Sequence, residues 1–428
     1  MSKTEYKPRV IDSILSRKLK GMGAVLIVGP KWCGKTTSAE QHAKSIIYMD
    51  NPQHRDSYIE AVSIDPKLIL DGATPRLIDE WQIAPKLWDA VRFTVDHRNA
   101  DGQFILTGSA VPLLENEEFQ KTHTGTGRIG RIKMRPMSLW ESGDSTGSIS
   151  LNSLFAGEKQ SATCQTNIEQ ISYLVCRGGW PRAIFQDFDI SLERATDYVE
   201  AIIHSDVNRA DNSIKNPERI SRLLRSYARH IGTQAANTVI SDDLSSNENS
   251  SFDVRTVQSY INALKQIYVV EDMPAWNPNL RSKAAIRTSD THYFVDPSIA
   301  VAALGIGPND LIRDLKTFGF IFENLCIRDL RVYAESLNGD VYHYRDNLGL
   351  ECDAVVHLRN GMYGLIEIKL GGDKLIEEGV TNLLKLRDKL DLNKMIEPAF
   401  CMVLTAVGDI AYQRKDGVHV VPITCLKN

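Results

Sequence analysis

The sequence predicts an α/β protein of more than one domain, and three patterns predict it. Short apolar runs alternate with helical periods up to about Glu141. A helix-rich stretch follows and ends in two strand-like runs. A second alternation of helix and strand begins near Asp310. At 428 residues the chain exceeds one ordinary domain, and two to three is the natural number. With 43% hydrophobic and 24% charged residues it can bury sizeable cores. The net charge of −4 gives no bulk support to a nucleic-acid coat, while leaving room for a local basic patch.

In order along the chain, Ile11 to Leu19 has the period of a helix and Ala24 to Val28 reads as a buried strand. A helix over Lys35 to Lys44 and a strand over Ser45 to Met49 follow. Leu68 to Leu70, Arg76 to Ile78 and Gln103 to Leu106 repeat the strand pattern. Strands alternating with helices imply a parallel sheet. Gly143 to Gln165, rich in Ser, Thr, Gly and Asn, reads as a linker or long loop. Beyond it, Arg219 to Ile231 puts Ile220, Leu223, Leu224, Tyr227, Ala228 and Ile231 on one helix face. After a polar stretch from Ser241 to Ser251, Asp253 caps a helix to about Gln266, with Val257, Tyr260, Ile261 and Leu264 inward. Tyr268 to Met273 and Thr291 to Val295 then form a hairpin, and helices followed by a hairpin are the order of a winged helix. The last part reads as a helix (Phe318 to Tyr333) and strands at Val341 to Tyr344, Glu351 to Leu358 and Met362 to Lys369. A helix (Lys374 to Leu390) and strands at Ala399 to Leu404 and Val418 to Val421 complete it. The domains expected are therefore 1–142, 166–305 and 310–428.

Met1 to Glu5 is polar with no signal-like apolar core, and the longest apolar runs are far short of a membrane span. Seven cysteines without a CxxC pair fit reduced, mostly buried thiols, so a cytoplasmic location with no membrane contact is expected.

Gly29-Pro30-Lys31-Trp32-Cys33-Gly34-Lys35-Thr36 matches GxxxxGK[ST], after a strand and before a helix. Such a loop turns successive backbone N–H groups towards phosphate oxygens. Lys35 would reach the β- and γ-phosphates of ATP, and Thr36 would offer its hydroxyl to Mg²⁺. Thr37 falls beside them at the helix start. Leu77-Ile78-Asp79-Glu80 ends an apolar segment in two carboxylates, with Asp79 towards Mg²⁺ and Glu80 polarising the attacking water. Gln103 to Ser109 is a further strand ending in hydroxyls. Thr107 or Ser109 would hold the water or sense the γ-phosphate, and a plain strand-ending turn stays open beside that reading.

These residues resemble the AAA-type P-loop domain of a large bacterial and archaeal family of ATP-binding proteins. The C-terminal part of that family is the domain of unknown function 4143. The resemblance rests on GPKWCGKTT, LIDEWQ (Asp79, Glu80, Gln82), FILTGSA, Gly127-Arg128, Arg135-Pro136-Met137-Ser138-Leu139-Trp140-Glu141 and Gly178-Gly179-Trp180-Pro181, and it covers nearly the whole chain. It implies adenine preference and offers Arg128 as an arginine finger acting from a neighbouring subunit of a homo-oligomer or from a closing domain. A surface arginine in a Gly-rich turn is the other reading of Arg128. No lid arginine can be picked out.

On the second middle helix, Arg255, Thr256, Gln258, Ser259 and Asn262 face outward. With Arg219, Arg222, Arg225 and Arg229 they offer phosphate and base contacts to DNA; a solvated polar face is the alternative. In the last part, Glu323 on a helix, Asp353 on a strand, and Glu367 and Lys369 on the next strand form an ordered acidic set. Glu367 and Lys369 share a face because the strand period is two. The arrangement resembles the PD-(D/E)XK nuclease fold, without its usual proline; a salt-bridge cluster competes with that reading. The expectation is an ATP-binding protein and Mg-dependent ATPase acting as a switch for its C-terminal half. The alternatives are an ATP-gated, metal-dependent DNA nuclease and a nucleotide-regulated module for a protein partner.

Overall fold

Strands β1 (Ala24–Val28), β2 (Ser45–Tyr48), β3 (Arg76–Asp79), β4 (Phe104–Gly108) and β5 (Ile129–Lys133) form one sheet in the order β2-β3-β4-β1-β5. All neighbours pair in parallel. Parallel strands need crossovers that cover both faces, so their inner members are buried on both sides; β1, β3 and β4 are buried at every residue. Helix α1 (Val10–Leu19) precedes β1, and α2 (Lys35–Glu40), α3 (Arg55–Ile64), α4 (Lys67–Leu70) and α5 (Leu87–Arg98) lie between successive strands. Alternation along the strands sorts the core into two layers. Leu26, Ile78 and Leu106 pack with Trp81, Trp88 and Val91, while Val25, Ile27, Leu77 and Ile105 pack with Ile14 and Leu15. The computed structural model describes residues 6–108, 127–207, 216–245, 253–278 and 289–428.

Two readings of this region are corrected. Leu68 to Leu70 is not a strand but part of α4, started at Pro66, with the Asp65 carboxylate accepting from Lys67 N at 3.0 Å. Three apolar residues carry too little periodicity to tell the two apart. The helix after the glycine-rich loop stops at Glu40 rather than Lys44.

The chain divides into two compact units. The first holds Met1–Pro136 with Asp206–Ile214 and Ala263–Tyr268; the second holds Met137–Ser205, Lys215–Asn262 and Val269–Asn428. From Met137 onward the helices are α6 (Leu139–Ser142), α7 (Leu151–Phe155), α8 (Ile168–Arg177), α9 (Phe188–Ala201), α10 (Pro217–Arg229), α11 (Asn237–Ser245), α12 (Val254–Gln266), α13 (Pro297–Leu304), α14 (Pro308–Arg313), α15 (Leu315–Ser336) and α16 (Asp373–Lys389). The inward faces read from sequence in α10 and α12 are buried. The two runs expected as a hairpin meet in antiparallel bridges, Val270 with Phe294 and Met273 with Thr291.

The second unit's main sheet has the order β7-β12-β13-β11-β10-β9-β8. Its members are β7 (Ala162–Thr163), β8 (Gly339–Arg345), β9 (Glu351–Leu358), β10 (Tyr363–Lys369), β11 (Phe400–Thr405), β12 (Ile410–Gln413) and β13 (His419–Pro422). Separately, β6 (Ile149–Ser150) pairs in parallel with β14 (Leu426–Lys427). The stretch 143–165 is therefore no loop: it supplies β6, α7 and β7. Ser145 Oγ donates to Leu426 O at 2.7 Å and Ser150 Oγ to Asn428 O at 2.9 Å. Strands of two residues leave no period for sequence to show. Among the described residues no helix is long and apolar enough to cross a membrane.

One buried cation ties the second unit together. Arg328, 1% exposed, reaches Asp296 Oδ2 at 2.9 Å and Asp329 Oδ1 at 2.7 Å. Asp296 Oδ2 also accepts from Gly179 N at 2.9 Å, and Asp329 Oδ2 from Leu139 N at 2.9 Å. A Cβ on Gly179 would lie 2.1 Å from Met137 O, so only glycine permits the approach that joins the two segments. Replacing Arg328 by Met strands two buried carboxylates, and the unit should lose about 3–5 kcal/mol of stability in urea unfolding.

Candidate nucleotide site

The loop from Gly29 to Thr36 joins β1 to α2, and its backbone is held from several sides. Gly29 has φ 153, and a Cβ there would lie 2.1 Å from Met134 O, so the first position admits no side chain. Arg9 donates from Nη1 to Cys33 O and from Nη2 to Arg135 O, both at 2.8 Å. Pro30 and Cys33 are buried, while Trp32 and Thr37 are exposed. Lys35 is 7% exposed, and its ammonium donates to Gly29 O at 3.0 Å and Pro30 O at 2.8 Å. The ammonium thus lies within the curl of the loop. Lys31 instead forms an ion pair with Asp206.

The sheet order brings the remaining groups together. Because β4 lies between β1 and β3, Thr107 near its end stands between the loop and the acidic segment. Thr36 Oγ1 donates to Asp79 Oδ1 at 2.7 Å, and Thr107 Oγ1 donates to the same oxygen. Burial raises the Asp79 carboxyl above its ordinary value; the two hydroxyls and Lys35 pull it down, and the Asp50 charge pushes it further up. Glu80 follows in left-handed backbone, φ 52, with Gln82 Nε2 donating to Oε2. Burial raises Glu80 as well, Lys35 opposing and Asp79 reinforcing. Gln82 Oε1 is buried with no hydrogen-bond partner. Arg128 is exposed, its Nε 2.8 Å from Asp96 Oδ1. Ser109 lies outside the described residues.

The oxygens fit a magnesium ion. One or two protein oxygens, completed by water and phosphate, are its usual share, and Thr36 and Asp79 offer that number. The sequence reading missed Asp50, Asp206 and the bracing by Arg9. Asp50 lies two residues past β2, the strand next to β3, with Tyr48 in register with Asp79, but strand order is not written in local sequence.

The C-terminal set also converges. Lys369 Nζ lies 3.1 Å from Asp353 Oδ2 and 2.7 Å from Glu367 Oε2, and Ile368 N donates to Asp353 Oδ2 at 2.7 Å. Glu367 is buried, and its Oε1 has no hydrogen-bond partner. Glu323 accepts from the Tyr293 hydroxyl. Burial, then the Asp353 charge, raises the carboxyls of Glu323 and Glu367, while Asp353 and Glu367 raise the Lys369 ammonium against its own burial. Among the described residues no group of three or more His, Cys, Asp and Glu side chains is arranged to hold a metal. On α12, Arg255, Gln258, Ser259 and Asn262 are exposed and Thr256 half-buried. On α10, Arg229 is committed to Asp243 at 2.6 Å.

Comparison with known proteins gives the class. Residues 22–142 match the model of an AAA domain, and residues 318–426 that of a domain of unknown function, DUF4143. Residues 168–310 match a further domain of unknown function, DUF8612. The chain thus carries a match to an AAA domain near its start and a match to DUF4143 behind it. Uncharacterized proteins of Mycobacterium bovis and Mycobacterium tuberculosis are each 24% identical over 364 residues, 83% of this chain and 72% of theirs. The Walker-type ATPase of Pyrococcus abyssi aligns at 15% identity over 70% of this chain and 96% of its own, with a TM-score of 0.43.

The raised carboxyls fix the sign of a pH effect. Above the ordinary glutamate value of 4.5, folded Glu323 and Glu367 keep protons that the unfolded chain has lost. Their contribution to the stability of the second unit should therefore be full below about 4.5 and be lost as pH climbs from about 4.5 to about 8. Glu367→Gln should flatten that loss in urea melts taken across the range.

Proposed function

We propose that the first unit binds MgATP and hydrolyses it slowly, and that its nucleotide state controls the C-terminal half of the chain. The observation that carries this reading is the Asp79 carboxylate, held by the hydroxyls of Thr36 and Thr107 beside the buried Lys35. Lys35 and the N–H groups of the loop take the β- and γ-phosphate charge. Thr36 and Asp79 hold magnesium, which when bound neutralises charge on the phosphates. Glu80 takes the proton of a water that attacks the γ-phosphorus as the bond to the β-phosphate oxygen breaks, leaving ADP and phosphate. Gln82, bonded to Glu80, sets the direction of that carboxylate. Arg128 remains an arginine finger in trans on this reading, since its exposed side chain lies on the surface of its own unit.

A second reading has its own observation. The buried Glu367 Oε1 without a partner fits a cation that Asp353 and Glu367 would share, while Lys369 would steady phosphate charge. That is the donor set of a metal-dependent phosphodiesterase, with DNA as the substrate and nucleotide state as its gate.

Phosphate release from the purified protein with MgATP, with and without duplex and single-stranded DNA, tests both. Lys35→Ala and Glu80→Gln should each lower turnover by about 100-fold or more, on the scale of a lost general base or charge stabiliser. Turnover raised by DNA would support action on nucleic acid, whereas turnover indifferent to it would favour a protein partner. Cleavage of DNA with added magnesium or manganese, lost in Asp353→Ala and in Glu367→Ala, would establish the second reading. No cleavage under those conditions would remove it.

A further inference from the structure

The phosphate loop carries two lysines with different commitments. Lys35 is buried and satisfied by the loop's own carbonyls. Lys31, with 39% of its side chain exposed, is instead paired with Asp206, whose side chain is only 8% exposed. Asp206 belongs to the same compact unit as the loop, although 175 residues separate the pair in sequence. It is also the last residue of a π-helical turn, Ile202–Asp206, a turn type that costs regular bonding and is frequent at functional sites.

A carboxylate this buried needs its counter-ion: an uncompensated charge out of water is expensive. Lysine suits an exchangeable partner, being a compact charge on a flexible four-carbon stem. The surroundings favour the exchange. Asp50, Asp79 and Lys35 all act electrostatically on the Glu80 carboxyl, while Lys31, on the same loop as Lys35, is tethered to Asp206. A triphosphate entering the loop meets that acidic excess, and Lys31 is the cation able to move towards it.

Resting on the ATP reading above and deepening it, we propose that Asp206 is a competing counter-ion. It holds Lys31 off the phosphates while the site is empty and yields it when ATP binds, so that Lys31 becomes a second phosphate ligand and the state of Asp206 reports occupancy. Binding energy is then divided between the new Lys31–phosphate contact and the broken pair, which makes Asp206 a brake on affinity.

Equilibrium binding of MgATP to the full chain tests this, using the unmodified protein, Lys35→Ala, Asp206→Asn, Lys31→Met and the Lys31→Met/Asp206→Asn double variant. Asp206→Asn should bind ATP about 5- to 20-fold more tightly, within the usual range of coupling between sites. Lys31→Met should bind more weakly, and in its background Asp206→Asn should bring no gain. Unchanged or weaker binding by Asp206→Asn, or an equal gain without Lys31, would overturn the proposal. Failure of the unmodified protein to bind ATP, or indifference to Lys35→Ala, would instead sink the nucleotide reading itself. Should Asp206→Asn not fold, hydrogen exchange on the unmodified protein decides. The amides of Asp206 and Val207 should exchange faster with a non-hydrolysable ATP analogue, and no change would overturn the proposal equally.

Discussion

In the second unit the guanidinium of Arg328 stands out of water between two carboxylates, and much of the surrounding order follows from that placement. Removing three charges from solvent is costly, and such a cluster persists only when geometry is good and every remaining lone pair is engaged. Here the fork of Arg328 engages Asp296 and Asp329, which also accept from Gly179 N and Leu139 N, and Asp296 Oδ1 from Ser298. Four segments far apart in sequence are thereby pinned to one cation. The first residues of the unit, the glycine pair after α8, the start of α13 and the middle of α15 must all arrive for any of them to be satisfied. A planar, permanently charged donor suits this task; a lysine could not serve two carboxylates in the same way. The quoted motifs around Leu139 and Gly179 are the walls of this cluster, which gives them a structural reason for their composition.

The two acidic sites differ in what neutralises them, and the difference is chemical. Asp79 is held by hydroxyls, which orient a carboxylate without cancelling its charge, so it keeps its appetite for a cation. Asp353 and Glu367 share the Lys369 ammonium, which offsets the Asp353 charge, while burial favours the protonated form of Glu367. A site of the second kind must first part with its lysine contacts to take a cation. Burial raises Asp79 as it does Glu367, so the direction of the shift alone does not separate the two cases; the identity of the partner does.

Much of this was legible in local sequence, for reasons that also mark where legibility ends. The phosphate loop is contiguous, and its glycine and lysine spacing is dictated by backbone approach to phosphate, so Gly29 to Thr36 could be read directly. The inward faces of α10 and α12 obey the helical period, and their buried residues were read correctly. The strands from Glu351 to Lys369 fell within a residue of where they lie. By contrast, the Asp50 charge acts on Asp79 only because of the lateral order of strands, which depends on crossovers rather than on neighbours in sequence. Asp206 is further removed still, and no local pattern announces a partner 175 residues away. The stretch 143–165 failed for another reason. Its polar composition is that of a linker, yet its backbone is used as pairing surface, and backbone bonding leaves no mark on side-chain pattern.

That pairing bears on where the chain can be cut. The match to DUF4143 spans residues 318–426, which leaves out β6 and β7 and stops within β14. Within the whole chain, β7 covers the flank of β12 and β6 lies along β14. A fragment trimmed to those borders would present the bare flank of β12, with Ile410 and Tyr412 already open to solvent, as a row of free amide and carbonyl groups. Such a margin invites association with another molecule of the same fragment. A piece that keeps this pairing must therefore begin before β6, and recombinant pieces taken from the recognised borders would be sticky for reasons unrelated to their chemistry.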